Sequence, residues 1–114
     1  MVNIETCRKL ALSFPDVTEQ DHFGMPSFRF KKKIFMTIHT DKNIVMLKLS
    51  ESDQSIFMAY DSEIIYPVKG YWGTQGATMF DLVRVKKIIF NNALKAAYNN
   101  VSVKKVASKK KVKD

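Results

Sequence analysis

The sequence predicts an α+β domain, an antiparallel β-sheet with helices packed on one face, in the order α-β-β-β-β-α-β-α. Three observations carry that expectation. Alternating apolar and polar positions, the signature of half-buried strands, are grouped between residues 16 and 49 and recur near 77–82. Helical apolar spacing is confined to stretches before, between and after those groups, which is the segregated pattern of α+β proteins. The length of 114 residues suits one hydrophobic core.

Asn3 is placed to cap a helix over 3–13, because its side-chain oxygen can accept from a first-turn N–H, and Glu5 suits the positive end. Ile4, Cys7, Leu10, Ala11 and Phe14 form its apolar stripe, and Pro15 ends it by excluding the αR region at Phe14. Residues 16–23 read as a charged edge strand, which discourages pairing with other chains. Gly24-Met25-Pro26 reads as a turn. An antiparallel meander follows, with Phe28 and Phe30 on one face, Ile34, Met36 and Ile38 together, and Val45, Leu47 and Leu49 opposite Lys48. Its turns are Lys31-Lys32-Lys33 and Asp41-Lys42-Asn43. Ser50 and Asp53 form a capping pair for a helix to Ala59, with Ile56, Ala59 and Tyr60 expected inward. An extended piece at 64–67, a Gly-rich turn and a strand near 77–82 lead to a last helix over 84–99.

The charge is unevenly spread. Of the formal net charge of +8, residues 1–100 contribute +3 and residues 101–114 contribute +5. The sequence therefore predicts a folded domain over 1–100 and a basic, disordered tail over 101–114. A single cysteine, Cys7, excludes an internal disulfide, and its place on a helical apolar stripe predicts a buried thiol rather than a nucleophile. No apolar run approaches the ~20 residues of a membrane span, and charges occupy the place of a signal peptide's apolar block. These features predict a cytoplasmic protein that is not inserted in a membrane.

Two segments carry a family resemblance: Phe-Pro-Asp-Val-Thr-Glu-Gln-Asp-His-Phe-Gly-Met-Pro-Ser-Phe-Arg-Phe at 14–30 and Tyr-Pro-Val-Lys-Gly-Tyr-Trp-Gly-Thr-Gln-Gly-Ala-Thr at 66–78. With Lys-Ile-Phe and Leu-Lys-Leu-Ser at their spacing between them, the chain resembles the MmcQ/YjbR family over about residues 3–100. The resemblance implies a CyaY-like fold and a DNA-binding role described for a double-wing arrangement of hairpins. It implies no catalytic residues. It does not bring iron binding, which in frataxin-type proteins needs an acidic ridge this basic chain lacks. Family members often carry Gly at the hairpin tip where this chain has Lys32, so any positive φ required there falls on a lysine.

The candidate contacts are cationic. Arg29, Lys31, Lys32 and Lys33 sit on and beside one hairpin tip, where cations can reach phosphates, although lysines there also serve as a solvated guard of the sheet edge. Lys69 and Trp72 on the Gly-rich turn are second-site candidates, since aromatics beside a cation can stack on bases. Against that, large aromatics of a small domain are usually core, so Trp72 and Tyr66 are expected to plug the end of the sheet. The turn has no P-loop spacing. Lys104, Lys105 and the other tail lysines can hold any polyanion loosely. His22 and His39 lie on different elements without metal-ligand spacing, so no metal and no cofactor are expected. The reading is a non-enzymatic, monomeric protein that binds DNA mainly at phosphates with little sequence preference. The alternatives are a protein-interaction adaptor with a secretion-chaperone-like docking surface, and a small-ligand domain built around the Gly-rich turn with His22.

Overall fold

The structure, a computed structural model, describes residues 2–102; of the tail expected over 101–114, Val101 and Ser102 belong to the last helix and the rest lies outside the described residues. Ten elements follow in order: α1 (Ile4–Leu12), β1 (Val17–His22), β2 (Met25–Phe30), β3 (Lys33–His39), β4 (Ile44–Lys48), α2 (Glu51–Met58), β5 (Ile65–Pro67), α3 (Tyr71–Thr74), β6 (Ala77–Asp81) and α4 (Lys87–Ser102). The expected order holds. Two short pieces join it: the extended segment becomes β5, and the Gly-rich turn contains the single turn α3.

Both predicted caps form. The Thr6 N–H donates to Asn3 Oδ1 at 2.7 Å, and the Asp53 N–H donates to Ser50 Oγ at 3.1 Å. All six strands make one antiparallel sheet in the order β1-β2-β3-β4-β6-β5. Its register aligns Gln20, Ser27, Thr37, Met46, Met79 and Tyr66 in one row across the sheet. Side chains alternate from there. Phe28, Met36, Ile38, Val45, Leu47, Phe80 and Ile65 are buried beneath the helices with Phe90, Ala93, Leu94 and Ala97 of α4. Tyr98 locks this face: it stacks on Phe14 at 4.5 Å, meets Phe30 and Phe35 edge-on, and donates its hydroxyl to the Pro15 carbonyl at 2.8 Å.

Several boundaries and faces differ from the sequence expectation, each for a tertiary reason. The β1–β2 tip is Phe23-Gly24, with φ of 54° and 83°, so Met25 and Pro26 belong to β2. Positive φ at both central residues matches the right-handed strand twist, as in primed hairpin turns. A bulge between β2 and β3 inserts Phe35, which is fully buried, and turns Ile34 away from Met36 and Ile38 to lie opposite Arg29. On α2 only Phe57 is buried, while Ile56 and, past the helix end, Ala59 and Tyr60 are exposed rather than inward. Helix α4 starts at Lys87, because the Asp81 carboxylate accepts from the Val83 N–H (3.0 Å) and Arg84 Nε (2.9 Å) and holds 81–84 in a turn. It runs past Asn99-Asn100 because Asn100 Nδ2 donates to the Lys48 carbonyl and Val101 is buried.

Candidate functional site

The register decides which candidates meet. Phe30↔Lys33, Lys48↔Ala77 and Pro67↔Thr78 all lie at one end of the sheet; His22↔Met25, His39↔Ile44 and Ile65↔Phe80 lie at the other. Arg29, Lys31, Lys32 and Lys33 therefore share an end with Lys69 and Trp72, which follow β5 directly. Strands β2 and β6 are three positions apart, about 14 Å at the usual spacing. Helix α4 also finishes there, since Asn100 bonds Lys48. Lys104 and Lys105 lie outside the described residues.

At the β2–β3 tip the left-handed residue is Lys31, with φ of 59°, and not Lys32. Its Nζ stands 5.3 Å from the centroid of the Phe30 ring, a cation–π contact that leaves the charge facing water. Lys31, Lys32 and Lys33 are exposed, and no carboxylate among the described residues pairs with them. Arg29 is half-buried on the face away from the helices, its Nε donating to Ser27 Oγ at 3.3 Å, while the Ser27 hydroxyl donates to the Gln20 carbonyl at 2.8 Å.

The Gly-rich turn is pinned to the sheet. A Cβ on Gly73 would stand 1.8 Å from the Val68 carbonyl oxygen, and one on Gly76, where φ is 103°, would stand 1.9 Å from that of Leu49. Lys48 Nζ donates to the Gln75 carbonyl at 2.7 Å. With its backbone held this way, α3 projects its aromatics outward: Tyr71 is 67% and Trp72 63% exposed, their rings 5.5 Å apart. The expectation that Trp72 plugs the sheet is thus corrected. The sheet end is filled instead by fully buried residues such as Leu49, and Trp72 stands on the rim.

The helix-free face forms a groove of about 480 Å³. Met46, Met79, Ala77, Ile34 and Thr37 line it, with His22 and Met25 on one side and Val68 and Trp72 on the other. His22 and His39, on separate strands, both border this groove, a juxtaposition that sequence spacing did not reveal. His39 is held below the ordinary histidine pKa, first by burial and then by the Lys42 charge, with Asp41 opposing. Among the described residues no group of three or more His, Cys, Asp or Glu is placed to hold a metal. Cys7 is buried, and burial pushes its thiol up to about 12, so it is no nucleophile at neutral pH. No helix among the described residues is long and apolar enough to cross a membrane.

Sequence reasoning also missed Phe23. It is 89% exposed, in the left-handed region, and its ring meets that of His22 edge-on at 4.7 Å. The Phe-Gly pair preceding Met25-Pro26 was the available signal.

A family model described as YjbR matches residues 12–100. The fold is similar to the crystal structure of Deinococcus radiodurans protein DR2400, described by the family-model domain DUF419, with a TM-score of 0.76 at 14% identity, covering 90% of this chain and 80% of that one. No curated protein matches the sequence.

Proposed function

Since the chain belongs to the YjbR family, we propose that it is a non-enzymatic, cytoplasmic DNA-binding protein whose contacts go mainly to phosphates. Lys31, Lys32 and Lys33 make the primary contacts from the β2–β3 tip, with Arg29 beside them. Lys69 and Trp72 add a second contact from the α3 rim, and Lys104 and Lys105 a looser one from the tail. In the double-wing description, the β2–β3 hairpin is the wing that carries charge. One observation supports this reading above the others: the register gathers all the candidate cations of the described domain at one end of the sheet, and the three tip lysines there have no carboxylate partner among the described residues. A positive φ retained on an exposed lysine fits a tip kept for its charge, since glycine would hold that turn with less strain. Phosphate contacts carry no sequence information, so binding is weakly specific and salt-sensitive. Anisotropy titrations of a labelled duplex at low and physiological salt test it. Binding that weakens steeply with salt is expected; affinity indifferent to salt, or no binding at low salt, overturns it.

A second reading, a protein-interaction adaptor, is favoured by the exposed Tyr71–Trp72 pair on the groove rim. Specific association of one protein through Trp72, with no DNA binding at low salt, is the result that would put it first.

A further inference from the structure

We propose that the DNA held at the lysine end of the sheet is single-stranded, with bases stacked on Tyr71 and Trp72. This rests on the DNA-binding reading above and adds to it the form of the strand. The two rings carry the inference. Both are more than half open to solvent, their centroids are 5.5 Å apart and their planes are inclined at 72°. Successive bases of a duplex lie nearly parallel, and each is already covered by its neighbours in the stack. Two platforms turned so far from one another therefore have no counterpart in a duplex. The bases of a single strand turn independently, so one can lie on each ring. A duplex would first have to unstack and extrude a base, a cost that a single strand does not carry.

The platform is built before any strand arrives. Gly73 and Gly76 seat α3 against the carbonyls of Val68 and Leu49, and Gln54 Nε2 donates to the Gly73 carbonyl at 2.9 Å. Rings on a backbone held this way lose little freedom when a base settles on them. Cations flank the rings. Lys69 is exposed, two residues before Tyr71 and separated from it by Gly70, whose φ is 83°. Lys31, Lys32 and Lys33 stand at the same end of the sheet, where β3 and β5 are three positions or about 14 Å apart. None of these four lysines pairs with a carboxylate among the described residues. A strand passing from the α3 rim to the β2–β3 tip thus meets stacking surfaces and then phosphate-neutralising charge, the two parts of a single-strand site. The same cations select a polyanion over an apolar partner at these rings.

The test uses the full chain and two probes: an oligothymidylate of about 12 nucleotides, a length suited to one single-strand domain, and the duplex it forms with its complement. At low salt the single strand should bind more tightly than the duplex by at least about fivefold, the stacking of one base. It should also quench Trp72, the only tryptophan, saturably, while the duplex leaves most of that emission unchanged. Tyr71→Ala and Trp72→Ala remove exposed rings and spare the core. Each should weaken the single strand by at least about fivefold and leave duplex affinity unchanged. Trp72→Phe, which keeps a ring, should retain most of the single-strand binding. Duplex affinity equal to or above that of the single strand, no quenching, or single-strand affinity indifferent to both ring removals would each overturn the proposal while the DNA reading stands. Failure of both probes to bind at low salt would remove the DNA reading, and the proposal with it.

Discussion

Gln54 of α2 donates through Nε2 to the carbonyl of Gly73, 2.9 Å away in the middle of α3. The same nitrogen lies within hydrogen-bond reach of Thr78 Oγ1 (3.1 Å) and the Ala77 carbonyl (3.3 Å), so one amide ties a helix, a loop and a strand together. The aromatic rim is therefore held in position by a residue that does not itself line the groove. Gln54→Leu removes this shared donor while the Gly73 carbonyl keeps the Gly76 N–H and the Ala77 carbonyl keeps the Val68 N–H, and should destabilise the fold by about 1 kcal/mol. Trp72 fluorescence anisotropy should fall with it, which urea titration alongside anisotropy will measure.

Gly73 and Gly76 of the same loop should differ sharply from the hairpin glycine. Gly76→Ala meets the Leu49 carbonyl oxygen at 1.9 Å in a left-handed conformation, and should destabilise by more than about 2 kcal/mol. Gly24→Ala meets nothing within 4 Å and carries only the cost of its φ of 83°, about 1 kcal/mol. Paired urea midpoints test the ranking.

How much of this was legible beforehand follows from what each element depends on. The Asn3 and Ser50 caps, the meander and the core face of β4 and β6 were readable, because each is set by local hydrogen bonding or strict alternation. Ile34 was misplaced because a bulge adds one residue to β3, and periodicity has no signal for that. Trp72 was misjudged because composition favours burying a large aromatic, whereas the close approaches of Gly73 and Gly76 force α3 outward. The groove was invisible for a different reason. His22, Met46, Met79 and Trp72 come together only through the β4–β6 pairing and the strand order, which no short-range pattern encodes.

His39 should titrate below the ordinary histidine value of 6.5, as burial and Lys42 disfavour its charged form. The unfolded chain then takes up a proton at a higher pH than the folded one. Stability attached to this group is full above 6.5 and declines as pH falls through that value. Urea midpoints should drop on acidification in wild type and drop less in His39→Gln. NMR of the imidazole gives the midpoint directly.

Cys7 should resist alkylation by iodoacetamide in the native protein and react fully in urea, because its buried thiol does not ionise near neutrality. Labelling followed by mass spectrometry should show native reaction slowed by at least about a hundredfold relative to the unfolded chain, since three pKa units separate about 12 from the ordinary 9.0.

The salt dependence of duplex binding, compared between wild type and the triple substitution Lys31→Gln, Lys32→Gln, Lys33→Gln, tests the phosphate-contact reading most directly. Each phosphate contact adds about 0.9 to the slope of log affinity against log salt, so losing three should flatten it by up to about 3, with affinity falling at low salt for every sequence tried. A triple variant that binds with the wild-type slope and affinity would contradict the assignment of the β2–β3 tip as the DNA contact.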